Sequence, residues 1–127
     1  MPRPLAFLLS GYLLVWVPLG FAIELLSAFP SLARRGPLAL AEVSSHGVAA
    51  ALSAVAGWMG IVRSPAAGST AAVAVVVNAA ITVQSLFWTM LPRQVAPGER
   101  LPLTLLACAH AVFWLVMLHR WRRSSSG

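Results

Sequence analysis

The sequence has no lysine, no aspartate, one cysteine and one tyrosine, and only 9% of its residues are charged. Each shortage excludes something. Soluble domains carry about a quarter charged residues. A chain that is 59% hydrophobic, with a mean hydropathy of +0.82, is therefore not built to face water. The lone Cys108 rules out an internal disulfide and any metal site made of cysteine alone. Nine basic residues against three acidic ones would point to nucleic acid in a soluble protein. Here all nine are arginines lying between or beyond apolar stretches, with no basic face and no aromatic platform, so no nucleic acid partner is expected. The chain also lacks a Walker loop, GxGxxG, HExxH and a Ser/His/Asp set, and it shows no internal repeat.

What the chain does have is four apolar runs, at residues 5–29, 38–62, 69–91 and 101–118, joined by links rich in proline, glycine and arginine. About 20 apolar residues cross a bilayer, and a longer run crosses with tilt. The pattern predicts an all-α integral membrane protein: one transmembrane domain of four transmembrane helices in an up-down antiparallel bundle with short loops. Pro18 is expected to kink the first helix and Pro30 to close it. Ser69 and Thr70 are expected to cap the third helix, and residues 124–127 to be disordered. A signal peptide is the rival for the first run, given Arg3 and the small residues at Ser27 and Ala28, but the apolar stretch is too long for one. Arg3, Arg63, Arg120, Arg122 and Arg123 fall on one side of this threading, and Arg34, Arg35, Arg93 and Arg100 on the other. The balance puts both termini in the cytoplasm by a narrow margin.

The second run carries the most information. At 3.6 residues per turn, Glu42, Ser45, His46, Ala49, Ser53, Ala56, Gly57 and Gly60 share one face. Val43, Val48, Ala51, Val55, Trp58, Met59 and Val62 share the other. Small side chains let membrane helices approach closely, and ionisable groups at that depth need partners. This helix reads as the inner wall of the bundle. The third run has a polar stripe of Asn78, Thr82, Ser85 and Thr89 continuing from Ala71 and Ala74, with Gln84 on its lipid-side flank. On the fourth, Thr104, Ala107, Cys108 and Ala111 make a small face, and His110 lies to its side. Trp58, Trp88 and Trp121 read as interface anchors, whereas Trp16 and Trp114 fill the bundle or meet a partner.

Depth then gathers the chemistry. At 1.5 Å per residue, Glu24, Glu42, His46, Ser85, Cys108 and His110 all lie about 6–14 Å from the same end of the bundle. Glu42 and His46, at i and i+4, can pair directly, and Glu24 can share the proton. A cluster of this kind can simply fix helix register. It can also bind a cofactor: a haem between His46 and His110, or a pigment on one of them. Glu24, Glu42, His46 and Cys108, with His110, form a mixed ligand set for a metal. A quinone or lipid headgroup could take His46 and Glu24 as hydrogen-bond partners. A proton path through Glu24, Glu42, His46 and Asn78 finds no second titratable group in the other half. The expected function is a small non-catalytic subunit or assembly partner of a larger membrane protein complex, surrounded by lipid. The alternative is a redox or ligand-binding module using the Glu/His cluster. A small oligomeric transporter comes third.

Overall fold

Two prolines shape the first span in opposite ways. The computed structural model describes residues 3–89 and 96–126, and helix α1 (Arg3–Gly11) opens it. A π-helical turn over Tyr12–Trp16 follows, and then α2 (Val17–Arg35). Pro18 has no amide hydrogen to give, and just before it the Val17 N–H reaches back five residues to the Tyr12 carbonyl. Where a kink was expected at Pro18, the helix carries one widened turn. Pro30 does not close the helix: it lies inside α2, at the cost of one backbone bond. Leu32, Ala33, Arg34 and Arg35 are good helix formers that carry the helix on.

Gly36 ends it, with φ +92°, a backbone region that favours glycine. Pro37 then opens α3 (Pro37–Ile61) at the position where a missing N–H costs nothing. The link expected over residues 30–37 contracts to Gly36 alone.

Helix α4 (Ala67–Phe87) starts two residues before the expected caps. Ala66 precedes it without a side-chain bond, and the Thr70 hydroxyl donates back to the Ala66 carbonyl at 2.9 Å. Trp88 turns extended (φ −150°, ψ 128°), so the helix ends before Thr89; the expected end at Leu91 lies outside the described residues, as do residues 92–95 of the following link. A short 3₁₀ turn, Pro97–Glu99, leads into α5 (Arg100–Ser126). Its backbone stays helical to Ser126, where a disordered tail was expected from Ser124: the preceding arginines favour helix and no breaker intervenes before Gly127, itself outside the described residues.

Four segments are long and apolar enough to cross a membrane: Leu5–Arg35, Pro37–Ile61, Ala67–Phe87 and Pro97–Arg120. All regular structure among the described residues is helical. The first span and α3 run antiparallel, because Ser10 meets Gly60, Leu14 meets Gly57 and Glu24 meets His46. Helices α3 and α4 do likewise, through Ser53 with Asn78 and Glu42 with Thr89. Helix α5 packs on α4.

The inner-wall expectation for α3 holds. In its most apolar window 39% of residues are buried, against 17–22% in the other three spans. Glu42, His46, Ala49, Ser53, Ala56 and Gly57 are buried, while Val48, Val55, Trp58 and Val62 are exposed. Two positions differ. Val43, expected to face lipid, packs with Ala28, Phe21, Leu25 and Leu32. Helix α3 has α2 on one flank and α4 on another, so its buried arc is wider than one stripe. Ser45, expected inside, is exposed and returns its hydroxyl to the Glu42 carbonyl at 2.7 Å.

The main core lies towards the end where α1 begins. Leu9 and Leu13 pack there with Ala56, Ala71, Ala74, Val75, Ala111, Trp114 and Leu118. Trp114 fills the bundle as expected. Trp16, the last residue of the π turn, is exposed, which leaves it the other expected place, against a partner. The Trp121 side chain lies outside the described residues.

Candidate functional site

Helix α3 brings Glu42 and His46 into the interior one turn apart, 4% and 7% exposed. The antiparallel register with α2 sets Glu24 against the imidazole. His46 Nδ1–H donates to Glu24 Oε1 at 3.0 Å and Oε2 at 3.1 Å. The hydrogen bond expected between Glu42 and His46 is therefore replaced by one across helices. Glu42 Oε1 instead accepts the hydroxyl of Thr89, tying the residues after α4 to the middle helix. A carboxylate oxygen accepts, so the bridging proton sits on the ring's Nδ1. His46 Nε2 is buried and has no hydrogen-bond partner among the described residues. Leaving a polar atom so costs about 1–3 kcal/mol.

Gln84, which the sequence put on the lipid flank, is half-buried beside this ring. Its amide donates to the Trp88 carbonyl at 2.5 Å. Deeper in, Asn78 Nδ2 donates to Ser53 Oγ at 2.6 Å and to the Ala74 carbonyl at 2.7 Å, and Ser53 donates to the Ala49 carbonyl at 2.8 Å. The Thr82 hydroxyl donates to the Asn78 carbonyl at 2.8 Å. The Asn78–Ser53 bond joins α4 to α3, the others return to their own helices, and the polar network closes at Ser53.

A cavity of about 700 Å³ lies against these groups. Glu24, His46, Asn78, Thr82, Ser85, Thr89 and His110 line it, with Tyr12 and apolar residues of α4 and α5 completing the wall. Most of the predicted site residues thus meet at one place. Glu42 stands behind the wall, buried, and reaches the cavity through Thr89. Glu24 is the accessible acid, with 31% of its side chain exposed.

His110 faces the Tyr12 ring edge-on at 5.2 Å, and its Nε2 accepts the Trp114 N–H at 3.1 Å. Neither partner was legible in the sequence as such, although Trp114 lies one turn from His110. Cys108 is exposed and does not line the cavity. Among the described residues no three His, Cys, Asp or Glu side chains converge to hold a metal. The mixed metal set of Glu24, Glu42, His46 and Cys108 is therefore not assembled.

No family model matches this chain, and neither does any curated protein or solved structure. The cavity offers a carboxylate held by an imidazole, in a chamber whose wall mixes hydroxyls with apolar side chains. That arrangement suits accepting a hydrogen bond from a ligand hydroxyl.

Proposed function

We propose that this chain is a small non-catalytic integral membrane subunit that seats a lipophilic, hydroxyl-bearing ligand of the quinol type in the cavity beside Glu24. The observation that carries the reading is the Glu24–His46 pair: a buried imidazole fixes one carboxylate at the wall of a chamber that opens among apolar helices. His46 positions Glu24, and Glu24 accepts the ligand hydroxyl. Ser85 and Thr82 offer further partners around the head, and Leu103 and Leu106 line the same chamber for its apolar part. A haem held by two histidines suits the site less well, because Trp114 engages His110 Nε2 and His46 Nε2 is covered. A proton path suits it less well too, since the polar chain stops at Ser53. The arginine distribution favours both termini in the cytoplasm and the site in the outer half of the bilayer.

The test is retention of decylubiquinol by the detergent-purified protein on resin, quantified by chromatography after washing. About one quinol per chain is expected. The Glu24→Leu/His46→Leu double variant should fall to the level of empty resin. Equal retention by both proteins, or none by the unaltered chain, contradicts the reading.

Membership of a larger assembly is supported by bulky side chains turned outward: Phe7, Trp16, Phe29 and Trp58 are all well exposed. Mild detergent extraction should recover the chain with larger membrane subunits; a stable homo-oligomer alone counts against that part.

A further inference from the structure

A second cavity, of about 800 Å³, lies at the opposite end of the molecule. Its wall is mostly apolar, with Phe7, Leu13, Ile61 and Leu118 among its residues, and Arg63 stands in it with Ser64. Arg63 is unusual in its backbone. Helix α3 ends in a Schellman cap, with Ser64 N–H on the Met59 carbonyl at 2.9 Å and Arg63 N–H on the Gly60 carbonyl at 3.3 Å. The left-handed position of that cap normally belongs to glycine, yet here Arg63 takes it, at φ +57°. A strained conformation retained by a charged residue at a cavity points to a use for the charge. Among the described residues no side chain pairs with its guanidinium.

The surrounding charge says what it would meet. Arg3 opens α1 at this end, and Arg120, Arg122 and Arg123 lie in the last turns of α5, whose Leu118 lines the cavity. All three acidic residues of the chain lie away from it: Glu24 and Glu42 in the other half, and Glu99 before α5. Helix ends that carry five arginines and no acid in their sequence disfavour a second copy of this chain and favour an anion. The cavity adjoins helices long enough to cross a membrane, at a level where phospholipid headgroups sit.

We propose that this cavity holds one acyl chain of an anionic phospholipid, with Arg63 binding the phosphate of its headgroup. The guanidinium suits a phosphate because its paired N–H donors match two oxygens, and the apolar wall replaces the chain's contacts with bulk lipid. This site is separate from the Glu24 cavity and stands or falls independently of the quinol reading.

Native mass spectrometry of the detergent-purified protein, titrated with dioleoyl phosphatidylglycerol or dioleoyl phosphatidylcholine, tests it. One phosphatidylglycerol should be retained with at least tenfold preference. Arg63→Gly should abolish that preference while raising the thermal midpoint, because glycine relieves the left-handed backbone. Ala67→Phe, which fills the cavity, should reduce retention of both lipids. Inorganic phosphate at millimolar concentration should not displace the bound lipid. Equal retention of the two lipids, an unchanged preference in Arg63→Gly, unaltered binding in a folded Ala67→Phe, or displacement by phosphate overturns the proposal.

Discussion

Gly57→Ala is expected to destabilise the protein by about 2 kcal/mol net, whereas alanine at Gly60 or Gly47 should be close to neutral. All three glycines lie inside α3, where alanine gains about 1 kcal/mol of helix propensity over glycine. What differs is the neighbour a new Cβ would meet. At Gly57 it would stand 2.7 Å from both the Leu14 nitrogen and the Ser10 carbonyl oxygen, backbone atoms that no rotamer can move. Overpacking of this kind costs about 1–3 kcal/mol, and backbone opposition puts it at the upper end, so the clash outweighs the propensity gain. At Gly60 the obstacle is the Ser10 hydroxyl at 2.5 Å, which can rotate. At Gly47 it is the edge of the Phe21 ring at 3.1 Å, on the half-buried side of α2. Unfolding in mixed micelles with increasing dodecyl sulfate measures all three. Equal losses at the three positions would mean that α3 and the first span do not meet at Gly57.

The second large effect concerns the Glu24–His46 pair. Glu24→Leu leaves the buried His46 without its Nδ1 partner, on a ring whose Nε2 is already unpaired. A loss of about 2–3 kcal/mol follows, the cost of stranding a buried polar group. His46→Leu strands the carboxylate instead, with a similar loss. The double variant places two apolar side chains of related size against one another and should lose only about 1 kcal/mol. The cycle therefore closes with a coupling of about 3–5 kcal/mol, measurable by the same unfolding titration. Additive losses would show that the two side chains do not interact. The near-native stability of the double variant is also what makes it a sound empty control for ligand retention.

Much of this arrangement was legible in the chain. The inward face of α3 follows from the 3.6-residue spacing of Glu42, His46, Ala49, Ser53 and Ala56. The gathering of Glu24, His46, Ser85 and His110 follows from counting residues to the nearest helix end. What the count could not provide was register across helices. On one helix Glu42 and His46 are neighbours, and nothing local prefers Glu24. The close approach at Gly57, a long-range packing fact, fixes which residue of α2 lies opposite the imidazole.

Pro30 misled for a related reason. Its local signal says stop, but the strong helix formers after it and the left-handed Gly36 set the boundary. Val43 was misplaced because a single amphipathic stripe underestimates a helix flanked on two sides. Thr89 reached the site by another route than its predicted helical face: it lies beyond the end of α4 and still bonds Glu42.

The role of the Glu24–His46 pair as the group a ligand meets is tested most directly by nitrogen NMR of protein carrying ¹⁵N-labelled histidine. The three histidines give few resonances, and His46 is assigned by its loss in His46→Leu. Nδ1 is expected to stay protonated without ligand, and the His46 signal to shift saturably with decylubiquinol while those of His119 do not. A His46 signal unmoved at saturating quinol, or a ring without a proton on Nδ1, contradicts it.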